Sequence, residues 1–330
     1  MNDTIGWGIL ATGRIARSFA EDLRLVPGAR LAAVGSRTAD TAEAFAGEYG
    51  DRDCRAHASY AALVEDPSVD VVYIASPHSL HLEHARMAFA AGKHVLCEKP
   101  LTMNTAEAEA MVGLAHEHDR FLMEAMWMAC HPVIRALRDP ERFGTPRQVH
   151  ADIGFVVDTP ETDRLLDPAL GAGALLDMGI YPLTLAHLLL GEAVELRAVA
   201  NLSATGIDLD IAIAGRYPEG ATAALTASMT SVAARTASVA TDRGTLTLAP
   251  PFHHPAHAVW TPLDGEPEIV AGAEPVIGTG LGNEAVEVGR CLREGLRESP
   301  LVPHAQTLAL MRQMDDIRRD IGVRYDADGA

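Results

Sequence analysis

Basic residues are scarce in this sequence: 27 lysines and arginines against 45 aspartates and glutamates leave a net charge of −18 over 330 residues. That imbalance runs along the whole chain. It argues against nucleic acid and anionic membrane surfaces as partners and for solubility. Cysteine is equally thin. The four residues at 54, 97, 130 and 291 form no Cys-x-x-Cys pair and no metal-ligand spacing, so free thiols in a reducing compartment are expected. The most apolar stretch, 174–190, is broken by Asp177, Pro182 and His187, which argues against a membrane span. Met1-Asn2-Asp3-Thr4 carries no basic n-region or cleavage site. There is no internal repeat and no low-complexity tract. The expectation is a cytoplasmic, soluble, globular chain long enough for two domains.

What is present in the first half is an alternation of strand-like and helix-like segments. Ile5-Gly6-Trp7-Gly8-Ile9-Leu10 reads as a buried strand, and Ala11-Thr12-Gly13-Arg14-Ile15-Ala16 opens a helix with Ile15, Phe19 and Leu23 on one face. A strand, a glycine turn and a helix form a dinucleotide fingerprint. Gly13 lets the backbone approach a pyrophosphate, which then rests on the free N–H groups of the helix N-terminus. Ala11 stands at the first glycine place and Ala16 at the third; alanine at the first is expected to require a turn with negative φ. A plain strand–helix turn is the competing reading. The next strand, 31–34, ends in Gly35-Ser36-Arg37-Thr38, where an NAD site would carry Asp or Glu for the ribose 2′-hydroxyl. A hydroxyl and a guanidinium suit a 2′-phosphate instead, so NADP is the expected cofactor. A solvated arginine at a helix start is the alternative for Arg37.

Asp40 and Glu43 mark a helix over 41–49. Residues 69–75 form a near-continuous apolar strand, as in parallel sheets buried on both faces, and it ends at Ser76-Pro77-His78-Ser79-Leu80-His81. The run His94-Val95-Leu96 leads into Cys97-Glu98-Lys99-Pro100. A lysine thus stands at the C-terminal tip of a strand, where open α/β sheets bind ligands, and the following proline keeps it extended. Asn104 and Glu107 cap a helix to about residue 118, and 121–125 is the last strand of a doubly wound parallel sheet. Ser76, His78 and His81 lie at the expected crevice mouth, within reach of cofactor or substrate. The histidines at 78, 81, 84, 116, 118, 253 and 254 match no metal-binding motif; helix-surface or capping roles are expected for most, and no metal is expected.

Residues 139–146 form a turn-rich connector, beyond which the pattern changes. A strand is expected over 148–157. The stretch from Leu170 to Pro182, if helical, puts Asp177 and Tyr181 at i and i+4 on one face, with Pro182 kinking or restarting the helix. Segments 207–217 and 221–231, then 236–241 and 245–248, read as two hairpins, and helices near 284–294 and 304–321 close the chain. In 221–229, Leu225 and Met229 occupy one face and Thr222, Ala224, Thr226 and Ser228 the other. A face so poor in charge is expected to pack against a second copy in a homodimer. The fold class is therefore α/β. Residues 1–125 form an N-terminal doubly wound parallel sheet that binds NADP; residues 126–330 form a C-terminal α+β domain with a mostly antiparallel open sheet, for substrate binding and dimerisation.

The segments Ala11-Thr12-Gly13-Arg14-Ile15-Ala16, Glu98-Lys99-Pro100 and Gly173-Ala174-Leu175-Leu176-Asp177-Met178-Gly179-Ile180-Tyr181 together resemble the glucose–fructose oxidoreductase / inositol dehydrogenase (Gfo/Idh/MocA) family, over essentially the whole chain. Met123-Glu124-Ala125-Met126-Trp127 and the tail Ile321-Gly322-Val323-Arg324-Tyr325 look most like its dimeric dihydrodiol dehydrogenases, which also act as NADP-dependent D-xylose dehydrogenases. The resemblance implies a Rossmann domain, a mostly antiparallel sheet domain that dimerises, and a catalytic site shared by Lys99 and Tyr181 with Asp177 nearby. Much of the family has histidine where this chain has Tyr181, and Ala11 and Ala172 replace common family glycines.

The implied chemistry is hydride transfer between a nicotinamide and a carbinol or carbonyl carbon of a sugar, cyclic diol or related polyol. A proton must move in step. A tyrosine with its ordinary pKa of about 10 is a poor base at neutral pH. The Lys99 ammonium would lower that pKa and stabilise alkoxide charge. Tyr181 is thus expected as general acid/base, Lys99 as its electrostatic partner and Asp177 as orienter. Expected cofactor contacts are Ala11, Thr12, Gly13, Arg14, Ile15, Ser36, Arg37, Ser76, His78, His81, Glu98 and Lys99; expected substrate contacts are Trp127, Phe155, Arg164 and Asp177. The competing structural readings are a buried tyrosine with a satisfied hydroxyl, an Asp177 that caps the loop at 171–173, and core packing for Trp127 and Phe155. Two other functions stay open. One is a sugar-nucleotide 3-ketoreductase of deoxysugar biosynthesis, with Arg164 a candidate contact. The other is a non-catalytic NADP-binding metabolite sensor.

Overall fold

The computed structural model describes residues 4–160 and 163–329. The chain divides into two compact units, Met1–Cys130 with Val276–Leu308 and His131–Pro275 with Ala309–Ala330. The expected single division at 125/126 does not match this arrangement, because 276–308 belong with the first unit.

In the first unit, β1 (Ile5–Leu10), β2 (Ala29–Gly35), β3 (Arg55–His57), β4 (Val71–Ile74), β5 (His94–Glu98) and β6 (Leu122–Ala125) lie in the order β3-β2-β1-β4-β5-β6. Every pair is parallel. This is the expected doubly wound sheet, with its order reversing between β1 and β4, the position at which such sheets open a ligand crevice. Helices Arg14–Leu23, Ala39–Tyr49, His81–Ala90 and Thr105–Glu117 are the main crossovers. They explain why β4 and β6 are buried throughout and, Glu124 apart, predominantly apolar: both faces of the sheet are covered. Phe19 of the first helix stacks on Tyr73 of β4 with ring centroids 3.9 Å apart. The second helix starts from Thr38, whose side chain accepts from the Thr41 N–H, rather than from Asp40. Asn104 caps its helix as expected, accepting from the Glu107 N–H at 2.9 Å.

Two sets of contacts bind 276–308 into this unit. Asp22 Oδ2 accepts from the Thr279 N–H at 2.8 Å, the Thr279 hydroxyl at 3.1 Å and the Gly282 N–H at 3.2 Å. A carboxylate on the first helix thereby caps the N-terminus of helix Leu281–Arg293, where an anion is favoured. Beyond that helix, the Leu122 N–H donates to Arg297 O at 3.0 Å, and His304 Nε2 meets Leu122 O at 2.9 Å. The segment covers the edge strand β6.

In the second unit, β7 (Pro146–Gly154), β8 (Glu195–Leu202), β9 (Asp208–Arg216), β10 (Thr222–Ser228), β11 (Ala237–Thr241), β12 (Gly244–Leu248), β13 (Ala258–Pro262) and β14 (Glu268–Val270) lie in the order β14-β13-β12-β11-β7-β10-β9-β8. All pairs are antiparallel except β7 with β10. Both expected hairpins are present, β9 with β10 and β11 with β12. Along β10, Ala223, Leu225 and Ala227 are buried while Thr222, Ala224 and Thr226 are exposed. A π-helical segment, Leu175–Gly179, runs directly into helix Ile180–Leu190. Pro182 lacks an N–H and its ring crowds the preceding turn, which a widened turn accommodates. By length and composition Pro168–Leu190 would pass as a membrane span, but 83% of its apolar window is buried inside the protein.

Candidate active site

The loop after β1 holds Ala11 at φ 76, in the left-handed region, so the expected negative φ is not what the chain adopts. An alanine there is strained by roughly 1–2 kcal/mol, because Cβ approaches the following carbonyl. Gly13 then leads into helix Arg14–Leu23, whose first turn has no side-chain cap and no acidic residue. A Cβ built on Gly13 would meet nothing within 4 Å. Among the described residues nothing crowds Gly13, and the uncapped N–H groups of the first helical turn are of the kind that suits an anion such as a pyrophosphate. At the end of β2, Ser36 is buried with its Oγ 2.7 Å from Thr41 Oγ1, and Arg37 is exposed. No carboxylate stands at 36–38.

Lys99 follows the last residue of β5 and is half-buried. Its N–H donates to Glu98 Oε2 at 3.2 Å, and the Tyr73 hydroxyl donates to the other Glu98 oxygen. The next turn is anchored by Glu124 of β6, which accepts from the Leu101 N–H at 3.0 Å and from the Thr307 hydroxyl at 2.8 Å. Burial pushes the Glu124 carboxyl up to about 7, against the pull of those two hydrogen bonds and of the Lys99 ammonium. His81 proves to belong to the same scaffold rather than to an open crevice mouth. It is fully buried, with Nδ1 at 3.1 and 3.2 Å from the Pro100 and Leu101 carbonyls and Nε2 at 2.9 Å from Ser76 O. Burial holds its imidazole down at about 4. Ser76 Oγ is 2.8 Å from His84 Nδ1, and His78 is buried against the His81 ring. Ser76 and His81 therefore lie buried between the ends of β4 and β5, a placement that local sequence does not signal.

In the second unit Asp177 and Tyr181 are both buried. Asp177 Oδ1 accepts from Arg164 Nη1 at 3.2 Å, so Arg164 is engaged with the residue beside it in the expected site. The side chain that caps the loop at 171–173 is Asp208, whose Oδ2 accepts from the Leu175 N–H at 2.6 Å; the carboxylate of Asp177 is turned to Arg164. The Tyr181 ring lies 4.7 Å from the His253 ring, and His253 is 4.6 Å from His254. Sequence reasoning left this pair among surface histidines; only its position in a turn between two strands distinguishes it. Phe155, just past β7, is 41% exposed and available to a ligand, whereas Trp127 in the first unit is 7% exposed and packs as core. Among the described residues no three His, Cys, Asp or Glu side chains are grouped to hold a metal ion.

The first unit thus offers an anion-binding helix terminus and an ammonium beside a strand tip. The second offers a phenol and a carboxylate held by an arginine. Residues 5–126 match a family model described as an oxidoreductase family with an NAD-binding Rossmann fold, and residues 132–247 match the GFO/IDH/MocA C-terminal domain. Trans-1,2-dihydrobenzene-1,2-diol dehydrogenase from Sus scrofa is 34% identical over 337 residues, spanning 98% of each chain. D-xylose 1-dehydrogenase (NADP(+)) from Hypocrea jecorina is 33% identical over 376 residues, spanning 98% of this chain and 93% of its own. A solved 3-ketoreductase from Actinomadura kijaniata, in complex with NADP and TDP-benzene, superposes with a TM-score of 0.83 at 26% identity, over 96% of this chain and 98% of that one.

Proposed function

The chain belongs to the GFO/IDH/MocA oxidoreductase family, and from that premise we propose that it is an NADP-dependent dehydrogenase/reductase acting on a CH–OH group of a sugar, cyclic diol or related polyol. The observation that carries the reading is full-length similarity to dehydrogenases of a diol and of D-xylose in a chain that carries a lysine at a strand tip, Lys99, and a buried tyrosine, Tyr181. Gly13 and the N–H groups of helix Arg14–Leu23 hold the pyrophosphate, while Ser36 and Arg37 hold the 2′-phosphate. When bound, the nicotinamide supplies the hydride donor or acceptor.

The protein's own part is the proton. Tyr181 takes it from the substrate hydroxyl or returns it to the carbonyl oxygen. Lys99 makes the phenolate accessible at neutral pH and stabilises negative charge on the reacting oxygen. Asp177, oriented by Arg164, accepts from a neighbouring substrate hydroxyl. That Arg164 is already engaged supports a small polyol over a diphosphate-bearing sugar, the reading which the likeness to a 3-ketoreductase keeps alive. An absorbance screen at the NADPH band with D-xylose, trans-dihydrodiols and nucleotide-linked keto-sugars separates the two; no change with any of them favours a sensor. With the active substrate, Tyr181→Phe and Lys99→Met are expected to lose about 10²–10⁴-fold in kcat while NADPH still binds. Wild-type turnover in either variant rejects the assignment.

A further inference from the structure

The tail beyond the last helix takes no part in the chemistry above, yet it is tied to the turn from which the Tyr181 helix starts. After helix His304–Ile321, the Val323 N–H donates to Arg318 O at 2.9 Å. Arg318, 3% exposed, reaches both oxygens of Asp328 at 2.7 and 3.0 Å and Asp315 at 2.6 Å. Its guanidinium lies over the Tyr325 ring, 5.1 Å from the centroid, and Asp328 also accepts from the Tyr325 N–H at 2.9 Å. Tyr325 is thereby fixed in place, buried, and its hydroxyl donates to Ala172 O.

From the other side comes Asp208, the first residue of β9 and fully buried. Its Oδ2 accepts from the Leu175 N–H at 2.6 Å, and its Oδ1 has no hydrogen-bond partner among the described residues. Between the two contacts lies Gly173 at φ 137, where a Cβ would sit 2.4 Å from Asp208 Oδ1 and 2.9 Å from the Tyr325 hydroxyl oxygen. A buried carboxylate with one oxygen unsatisfied is a destabilising choice if its purpose is only to fill space. The shared target of the two groups is backbone: the Ala172 carbonyl and the Leu175 N–H, on either side of Gly173. Gly173 O in turn accepts from the Asp177 N–H at 3.1 Å. From Leu175 to Leu190 the chain is helical without a break, so a shift of that turn moves Asp177 and Tyr181 together.

We propose that Asp208 and Tyr325 are positioning residues, a two-sided latch on the turn at 171–174 that sets the aim of Asp177 and Tyr181. The catalytic half of this inference rests on Tyr181 as the acid/base. The latch itself is tested by hydrogen exchange on the full-length protein. Asp208→Ala and Tyr325→Phe are expected to speed exchange at the amides of 175–181 while leaving the β1 and β4 amides unchanged. Asp208→Asn, which keeps an acceptor for the Leu175 N–H, is expected to restore protection. In NADP reduction with D-xylose or a trans-dihydrodiol, the first two variants are expected to lose kcat by up to about 10²-fold, the scale of an ångström of misplacement, at unchanged Kd for NADPH. Unchanged exchange at 175–181 in both variants overturns the latch. So does a loss of protection spread evenly through the protein that Asp208→Asn fails to repair, since that marks a general folding role. Tyr181→Phe run alongside keeps the two claims apart: full activity there removes the catalytic reading, and the exchange data still decide the latch.

Discussion

Replacing Glu124 by glutamine separates the charge of a buried carboxylate from its shape. The side chain is 2% exposed, and burial raises its pKa from the usual 4.5 to about 7. The folded protein therefore holds a proton over a range in which the unfolded chain has released it. The sign follows: the contribution to stability is complete below about pH 4.5 and is lost as pH rises through about 7. At about 1.4 kcal/mol per pKa unit, the carboxylate destabilises the native state above neutrality by on the order of 3 kcal/mol. Glutamine copies the protonated form, since its oxygen can accept from the Leu101 N–H and its amide can donate to the Thr307 hydroxyl. Wild type and Glu124→Gln are expected to match near pH 5, and the variant is expected to be more stable by up to about 3 kcal/mol near pH 8. At roughly 2–4 °C per kcal/mol for a unit of this size, the Tm difference opens by about 6–12 °C. Thermal melts followed by circular dichroism from about pH 5 to 8 measure it. Asp208, raised by burial to about 7 as well, affects both proteins alike and cancels in the difference. The charged groups acting on Glu124 are Glu98 and Lys99, and both remain in the variant. A gap that stays constant across that range refutes the reasoning.

Arg37→Ala is expected to raise the KM for NADPH by about tenfold or more, with NADH use unchanged, in initial-rate measurements; equal kcat/KM for the two nucleotides in the wild type removes the 2′-phosphate assignment. The exposed row Thr222, Ala224 and Thr226 on β10 is expected to be covered by a second copy of the chain, and light scattering at micromolar concentration is expected to give twice the 35.1 kDa chain mass; a monomer ends the idea. Ala11→Gly is expected to relieve the left-handed strain of about 1–2 kcal/mol while giving back about 0.4–1 kcal/mol of unfolded-chain entropy. The net is a small rise in Tm with NADPH binding retained, and a clear fall in Tm contradicts it.

Most of the architecture was legible because it is encoded locally. Parallel strands covered on both faces are predominantly apolar, which made 69–75 and 121–125 readable as strands of the buried sheet. Hairpins announced themselves through Pro218-Glu219-Gly220 and Asp242-Arg243-Gly244. What stayed hidden depends on partners far away in sequence. The cap that Asp22 gives to helix Leu281–Arg293 joins residues 257 apart, and nothing near either end foretells it. The left-handed φ of Ala11 runs against the preference of its side chain, so propensity pointed the wrong way. His81 looked like a ligand contact because it stands at a strand tip, but it is fully buried with its ring between the Pro100 and Leu101 carbonyls and that of Ser76, and the neutral ring donates to one side. Short strands such as β14, three residues long at the sheet edge, carry too little pattern to read.

Both units solve the same problem in the same way. Lys99 follows a strand tip and Tyr181 follows the turn at 171–174 by a few helical residues, so the aim proposed for each depends on how firmly the backbone before it is held. In each case a buried carboxylate takes hold of backbone N–H groups: Glu98 and Glu124 at Lys99 and Leu101, Asp208 at Leu175. Burial removes competing water from these bonds, which run from 2.6 Å at Asp208 to 3.2 Å at Glu98. The same burial makes the charge unfavourable, as the raised pKa values of Glu124 and Asp208 record. A neutral amide at either position is therefore expected to gain stability above neutral pH while still accepting from the same N–H, whereas alanine there gives up the hold on the backbone. That contrast separates these residues from ordinary core positions, where stability and function fall together.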